Sequence, residues 1–206
     1  MSYIQLPVQI IPRKITEYNL EVFYPAVVGG VNPEVMQKIN REILDLVNHL
    51  ITEQGYFQEP KTTQVNGYFE IKTNERGVLS LSIINYTYRY HAAHGMTIIK
   101  SLTFDIESGK VYELGELFKP ESDYLKKLSD IVLKQIKERE IDLLGEFKPV
   151  KPNQDYYIAD KSLVIYYQLY EITPYVFGFP QFPISVYEIQ DIINEDGPLG
   201  VMLING

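Results

Sequence analysis

The sequence predicts an α+β protein of two lobes, each an antiparallel sheet with a helix packed on it. Three observations predict it. A stripe of apolar residues at helical spacing runs from Val35 to Ile51. The period then changes to two between Lys61 and Asp105. A second set of helix and strand patterns follows that segment. The lobes are expected at residues 1–107 and 108–206.

Ile15–Tyr24 carries β-branched and aromatic residues and halts at Pro25, which reads as a strand. "VVGGVNPEV" reads as a turn leading into a helix, with Asn32 as N-cap and Pro33 as first helical residue. Val35, Ile39, Ile43, Val47 and Leu50 then form the buried stripe of a helix over Pro33–Gln54. Strands are expected at Thr63–Asn74, Val78–Arg89 and Met96–Asp105. "NERG" makes the first hairpin turn and "HAAHG" separates the next pair. In the last strand Met96, Ile98, Leu102 and Phe104 share the apolar face, and Thr97, Ser101, Thr103 and Asp105 the polar one.

Another hairpin is expected to turn at Ser108-Gly109. A second helix follows, capped by Ser122, with Leu125, Leu128, Ile131, Val132 and Ile136 on its apolar face. Strands are expected at Asp155–Ala159 and Lys161–Tyr170. "ITPYVFGFPQFPI" reads as an irregular loop, and Val186–Asn194 as a short helix.

Composition narrows the function. The chain has 206 residues, 45% hydrophobic and 22% charged, which is ordinary for a globular protein. Nineteen basic against 27 acidic side chains give a net charge of −8. That balance, with bases scattered among acids, argues against nucleic-acid binding and a polybasic membrane patch. With no Cys, thiol nucleophiles, iron–sulfur clusters and disulfides are excluded. No stretch approaches the roughly 18 apolar residues of a membrane span. In "MSYIQLPVQIIPRK" the apolar residues precede the charges, the reverse of a signal peptide. As written, the chain is expected in the cytoplasm, with no membrane insertion.

Catalytic signatures are missing: no GxSxG, SxxK, HExxH or P-loop is present. His49 reads as a helix residue. His91 and His94 lie three apart in a turn, too few ligands for zinc, so no metal and no cofactor are expected. Asp105 and Glu171 are the acids an enzyme could use, with Glu171 set among apolar residues. Tyrosine is abundant, 17 against 9 Phe and no Trp. Tyr86, Tyr88 and Tyr90 alternate and so project from one strand face. With His94 and Tyr175 they are the candidate binding residues. Cover for a half-exposed sheet is the alternative reading of the tyrosines.

"YHAAHGMTIIKSLTFDIESGKVYELGELF" resembles the extracellular half of RsiV-type anti-sigma factors. Ala93-His94-Gly95, Phe104-Asp105, Ser108-Gly109-Lys110 and Leu114-Gly115-Glu116-Leu117-Phe118 match that pattern. Tyr170-Glu171, Pro174-Tyr175 and Gly178 extend it. Upstream, Tyr24-Pro25 and Ile39-Asn40 resemble the PdaC-type domain that often precedes it. The resemblance implies a non-enzymatic binding module with a protein ligand, a lysozyme in that mostly extracellular family. A glycan-processing accessory protein using acidic residues, or an intracellular interaction protein, stay open as alternatives.

Overall fold

The computed structural model describes residues 7–29 and 32–203. The chain divides into two compact units, Met1–Val111 and Tyr112–Gly206. The fold is α+β, with a five-stranded sheet in the first unit and a three-stranded sheet in the second.

The first sheet has the order β1-β2-β3-β4-β5. The single strand expected near Ile15–Tyr24 is a hairpin of β1 (Gln9–Glu17) and β2 (Leu20–Gly29). Asn19, at a φ of +59°, supplies the left-handed residue that the tight turn requires. Pro25 sits inside β2, opposite Pro12 of β1. Neither proline has an N–H to donate, and neither needs one. β1 is an edge strand, and β2 pairs with β3 only over Leu20–Val22. That short pairing is parallel, so the sheet is mixed, unlike the antiparallel sheet expected. Beyond it the helix takes over. The Asn40 side chain accepts from Val27 N–H at 2.8 Å and donates to Val27 C=O at 2.8 Å, a side-chain replacement for a strand partner.

α1 (Pro33–Glu53) matches its expected range within a residue. Asn32 accepts from Glu34 N–H at 2.9 Å, as an N-cap should. The preceding turn at Gly30-Val31 lies outside the described residues. Ile39, Ile43, Val47, Leu50 and Ile51 are buried against Val22, Val65, Leu79, Leu81, Ile83 and Phe104. β3 (Thr63–Glu75), β4 (Val78–Arg89) and β5 (Met96–Asp105) form the antiparallel meander read from the sequence. Arg76 and Gly77, at φ +52° and +78°, close the β3–β4 hairpin with two left-handed residues. The meander face away from the core is polar, and hydroxyls pair across it: Ser80 with Thr103 at 2.9 Å and Ser82 with Ser101 at 2.9 Å.

After β5 the chain turns on Gly109, at φ +66°, and Asp105 N–H donates to Lys110 C=O at 2.9 Å beside a lone Phe104–Val111 bridge. The second strand of the expected hairpin is thus reduced to one residue pair.

In the second unit, α2 (Tyr124–Glu138) buries Leu128, Val132 and Ile136, while Leu125 and Ile131 are half-buried. Its cap is Asp123, which accepts from Lys126 N–H at 3.4 Å, and not Ser122, whose hydroxyl donates to Lys119 C=O at 2.6 Å. β6 (Tyr156–Ala159) and β7 (Ser162–Tyr166) are joined by β8 (Gln181–Ser185). β8 falls in the segment expected to be a loop. Its Pro183 is tolerated because β8 is an edge strand. Val186–Asn194 is a run of turns and no helix. Val186, Ile189 and Ile193 are fully buried all the same, since the turns bring every third or fourth residue inward. A short helix, α3 (Pro198–Leu203), follows.

Candidate functional sites

The candidate binding residues divide between the two units, with Tyr86, Tyr88, Tyr90 and His94 in the first and Tyr175 in the second. Tyr86 and Tyr88 share a face of β4, on the side away from the core. The Tyr86 ring lies on Gly95: a Cβ there would stand 2.3 Å from the ring, which explains a glycine after His94. Tyr90 is past the end of β4, so the alternation read from the sequence breaks there. Its N–H donates to Thr62 C=O at 2.8 Å, and the following His91 has a φ of +69°. The Tyr90 side chain is 65% exposed and its ring centroid lies 3.9 Å from that of His91. His94 lies at the rim of a cavity beside the end of α1. Its Nδ1 is 2.9 Å from Gly95 C=O. Tyr175 belongs to the second unit.

The acids have structural partners. Asp105 Oδ1 accepts from Ser108 N–H at 2.7 Å, Ser108 O–H at 2.7 Å and Glu107 N–H at 3.1 Å, which fixes the turn after β5. Glu171 accepts from Gln168 N–H at 2.9 Å and pairs with Lys151 at 3.3 Å. Glu171 is half-buried, in a polar setting, where the sequence suggested an apolar one. Each carboxylate is the cap of its own turn.

Among the described residues, no group of three or more His, Asp or Glu side chains is arranged to hold a metal ion. Titration with zinc at neutral pH should therefore show no site tighter than micromolar. A nanomolar one-to-one site lost on His94→Ala would contradict this.

Tyr175 lies in a protruding loop. Tyr175–Phe177 forms one 3-10 turn between Pro174 and Gly178, whose φ of +78° suits glycine. The three-residue turn carries no buried side chain. Val176 is 93% exposed, and Phe177 and Tyr170 are 43% and 44% exposed. Tyr170, at φ +63°, lies with its ring 5.5 Å from that of Tyr175. The loop stands on a rigid base. Tyr167 is fully buried and donates to Lys148 C=O at 3.1 Å. Burial, reinforced by the Glu171 carboxylate, pushes its phenol well above the ordinary value, so it stays protonated. Thr173 is fully buried beside the loop. Sequence reading found Tyr175 and missed Val176. The signal was there: three apolar residues bracketed by Pro and Gly, where turn residues are normally polar.

Charge is unevenly shared. Tyr112–Gly206 holds 16 acidic and 9 basic side chains, a net of −7. Met1–Val111 holds 11 and 10, a net of −1. Nearly all of the acidity belongs to the unit that carries the exposed loop. Among the described residues, no helix is long and apolar enough to cross a membrane.

Residues 115–187 match the model of a family described as DUF3298, protein of unknown function. Over 190 residues the chain is 26% identical to the anti-sigma-V factor RsiV of Bacillus subtilis (strain 168), a match covering 85% of this chain. The chain spans 65% of the length of that curated relative. Two crystal structures of DUF3298 family proteins share the fold. The one from Bacteroides fragilis NCTC 9343 is 14% identical, has a TM-score of 0.70 and covers 97% of this chain and 98% of its own. The one from Pseudomonas aeruginosa PAO1 is 12% identical, has a TM-score of 0.71 and covers 98% and 99%. Residues 115–187 thus match the DUF3298 model, the chain is similar in sequence to RsiV, and it shares its fold with DUF3298 family proteins.

Proposed function

We propose that the chain is a non-enzymatic binding module of the RsiV-like type, whose second unit grips a basic protein through the loop Pro174–Gly178. A lysozyme is the first ligand to test, as the resemblance implies. The observation that carries the reading is Val176, an aliphatic side chain 93% exposed at the tip of a supported turn. Its neighbours Tyr170, Tyr175 and Phe177 are of the aromatic types enriched at protein interfaces. The net charge of −7 in the same unit would steer a basic partner toward it. The first unit is read as the PdaC-type lobe. This fits the join between its two matching pairs, since Asn40 holds Val27, two residues after Pro25.

The test is calorimetric titration of hen lysozyme into the wild-type protein and into Val176→Ser, at low salt and about 0.3 M salt. At that higher salt surface charges are screened within about 6–8 Å. Specific recognition should survive the salt, and the variant should bind at least tenfold more weakly, which is about 1.4 kcal/mol. Its unfolding midpoint should stay unchanged, because the side chain packs on almost nothing. Affinity that disappears at high salt, or is equal in both proteins, overturns the reading.

A further inference from the structure

We propose that the first unit holds a site for a medium-chain fatty acid, with Arg13 anchoring its carboxylate and a groove beside α1 taking its chain. The groove is a cavity of about 450 Å³ between the β1–β2 hairpin and one flank of α1. That volume lies in the range of small-ligand sites. The groove exists because the helix does not cover the whole inner face of the hairpin. Ile39, Ile43 and Val47 are buried beneath α1, whereas Met36 and Leu44, on its flank, line the cavity. Leu44 and Val28, on facing walls, are both 36% exposed. Ala26 is half-buried, and its single methyl group leaves the space open.

Two polar side chains, Arg13 and Tyr24, present free groups to this space. They face each other in the β1–β2 register, as do Ile15 and Val22 two residues along. Val22 is fully buried in the core, so strand alternation puts Arg13 and Tyr24 on the same inner face, toward α1. Among the described residues the Arg13 guanidinium has no ion pair and no hydrogen bond, and the Tyr24 hydroxyl has no hydrogen-bond partner. The next residue is a direct contrast. Lys14 turns to the outer face, pairs with Glu21 at 2.6 Å and lies 5.1 Å from the centre of the Phe23 ring. The chain has 27 acidic and 19 basic side chains, yet no acid lines this groove to neutralise Arg13. The remaining polar lining residue, Asn40, already holds both backbone groups of Val27 at 2.8 Å.

The order of groups along the groove sets the ligand. Asn40 meets Val27 after the chain has reversed, so α1 runs antiparallel to β2. Tyr24 and Leu44 therefore lie toward one end, and Val28 and Met36 toward the other. Met36 and Leu44 are eight residues apart, which is about 12 Å along a helix. A guanidinium receives a carboxylate through two parallel N–H···O bonds, and the Tyr24 hydroxyl is a further donor. Beyond that head Ala26, Val28 and Met36 offer an alkyl chain an apolar wall. A cationic head would meet Arg13 as a like charge. Strand addition of a peptide along β1 is opposed by Pro12 and Lys14 on that edge strand. Extended decanoate has the right order of parts: one anionic head, then an apolar tail of about the groove's length.

The experiment is amide-detected NMR of the full chain with sodium decanoate, kept below its micelle concentration, beside acetate and decyltrimethylammonium. Decanoate in the sub-millimolar range should shift the amide signals of Tyr24, Ala26 and Leu44. Acetate is the head without the tail, and decyltrimethylammonium the tail under a cation. Each should need at least tenfold more. Arg13→Gln should weaken decanoate at least tenfold. Its unfolding midpoint should stay unchanged, since the Arg13 side chain is exposed and bonded to nothing among the described residues. Ala26→Leu fills the groove and should abolish the shifts. The proposal is overturned if decanoate moves none of these signals or if either comparison compound acts equally. Wild-type decanoate binding in Arg13→Gln or in folded Ala26→Leu overturns it as well.

Discussion

Replacing Ile43 with Ala should destabilise the protein by about 2–5 kcal/mol, the range for removing a fully buried aliphatic side chain. Ile43 lies at the middle of α1, is fully buried, and belongs to the cluster formed with Val22, Leu81 and Phe104. Its neighbours are held by strand pairing on three sides and cannot collapse into the space left. The unfolding midpoint should fall by about 2–4 °C per kcal/mol for a chain of this size. Thermal unfolding followed by circular dichroism checks it. Leu44→Ala one position on is the matched control, since Leu44 is 36% exposed and should change the midpoint little. An Ile43→Ala midpoint equal to that control would show that the helix does not pack on the sheet by this face.

Gly67→Ala should cost about 1–3 kcal/mol, as overpacking does in a closed core. The reason is crowding, since the position needs no left-handed backbone. A Cβ there would stand 2.3 Å from Asn85 Oδ1 and 2.7 Å from Val22 Cγ1. Both side chains are fully buried and have nowhere to retreat. Gly145→Ala is the counterpart, with no atom within 4 Å of the added Cβ, and should be neutral. Equal midpoints for the two variants would mean that β2 and β4 yield more easily than their burial implies.

The legible parts of this fold were those with long, uninterrupted periodicity. α1 carries six turns of one apolar stripe, and β3, β4 and β5 each alternate over ten residues or more, so pattern alone located them. The β1–β2 hairpin is not legible because Pro25 reads as a strand terminator. Its real turn has only Tyr18 and Asn19, and an asparagine in a left-handed conformation is a weak signal. Val186–Asn194 misled in the other direction. Its buried residues recur at helical spacing, yet successive turns deliver the same spacing without a helix. β8 was hidden by Pro183, which an edge strand can accept.

The sites were less legible for a related reason. Tyr175 was found through its resemblance and its chemistry, whereas Val176 looks like an ordinary core residue until its exposure is known. Asn85 and Thr87 are buried polar residues of β4 on the face opposite its tyrosines. Their positions continue the inward alternation of Leu79, Leu81 and Ile83, and a polar residue at an inward position is the signal that was available.

The short parallel contact between Leu20–Val22 and Val65–Gly67 has a kinetic consequence. β3, β4 and β5 can zip together through near neighbours, hairpin after hairpin. β2 cannot join them until the whole of α1 has closed the distance, so this contact carries the largest entropy of closure in the first sheet. Contacts between residues far apart in sequence slow folding more than they alter stability. The meander should therefore form first and the β1–β2 hairpin dock late. Weakening the contact at Val22 should mainly hasten unfolding and leave the refolding rate nearly unchanged.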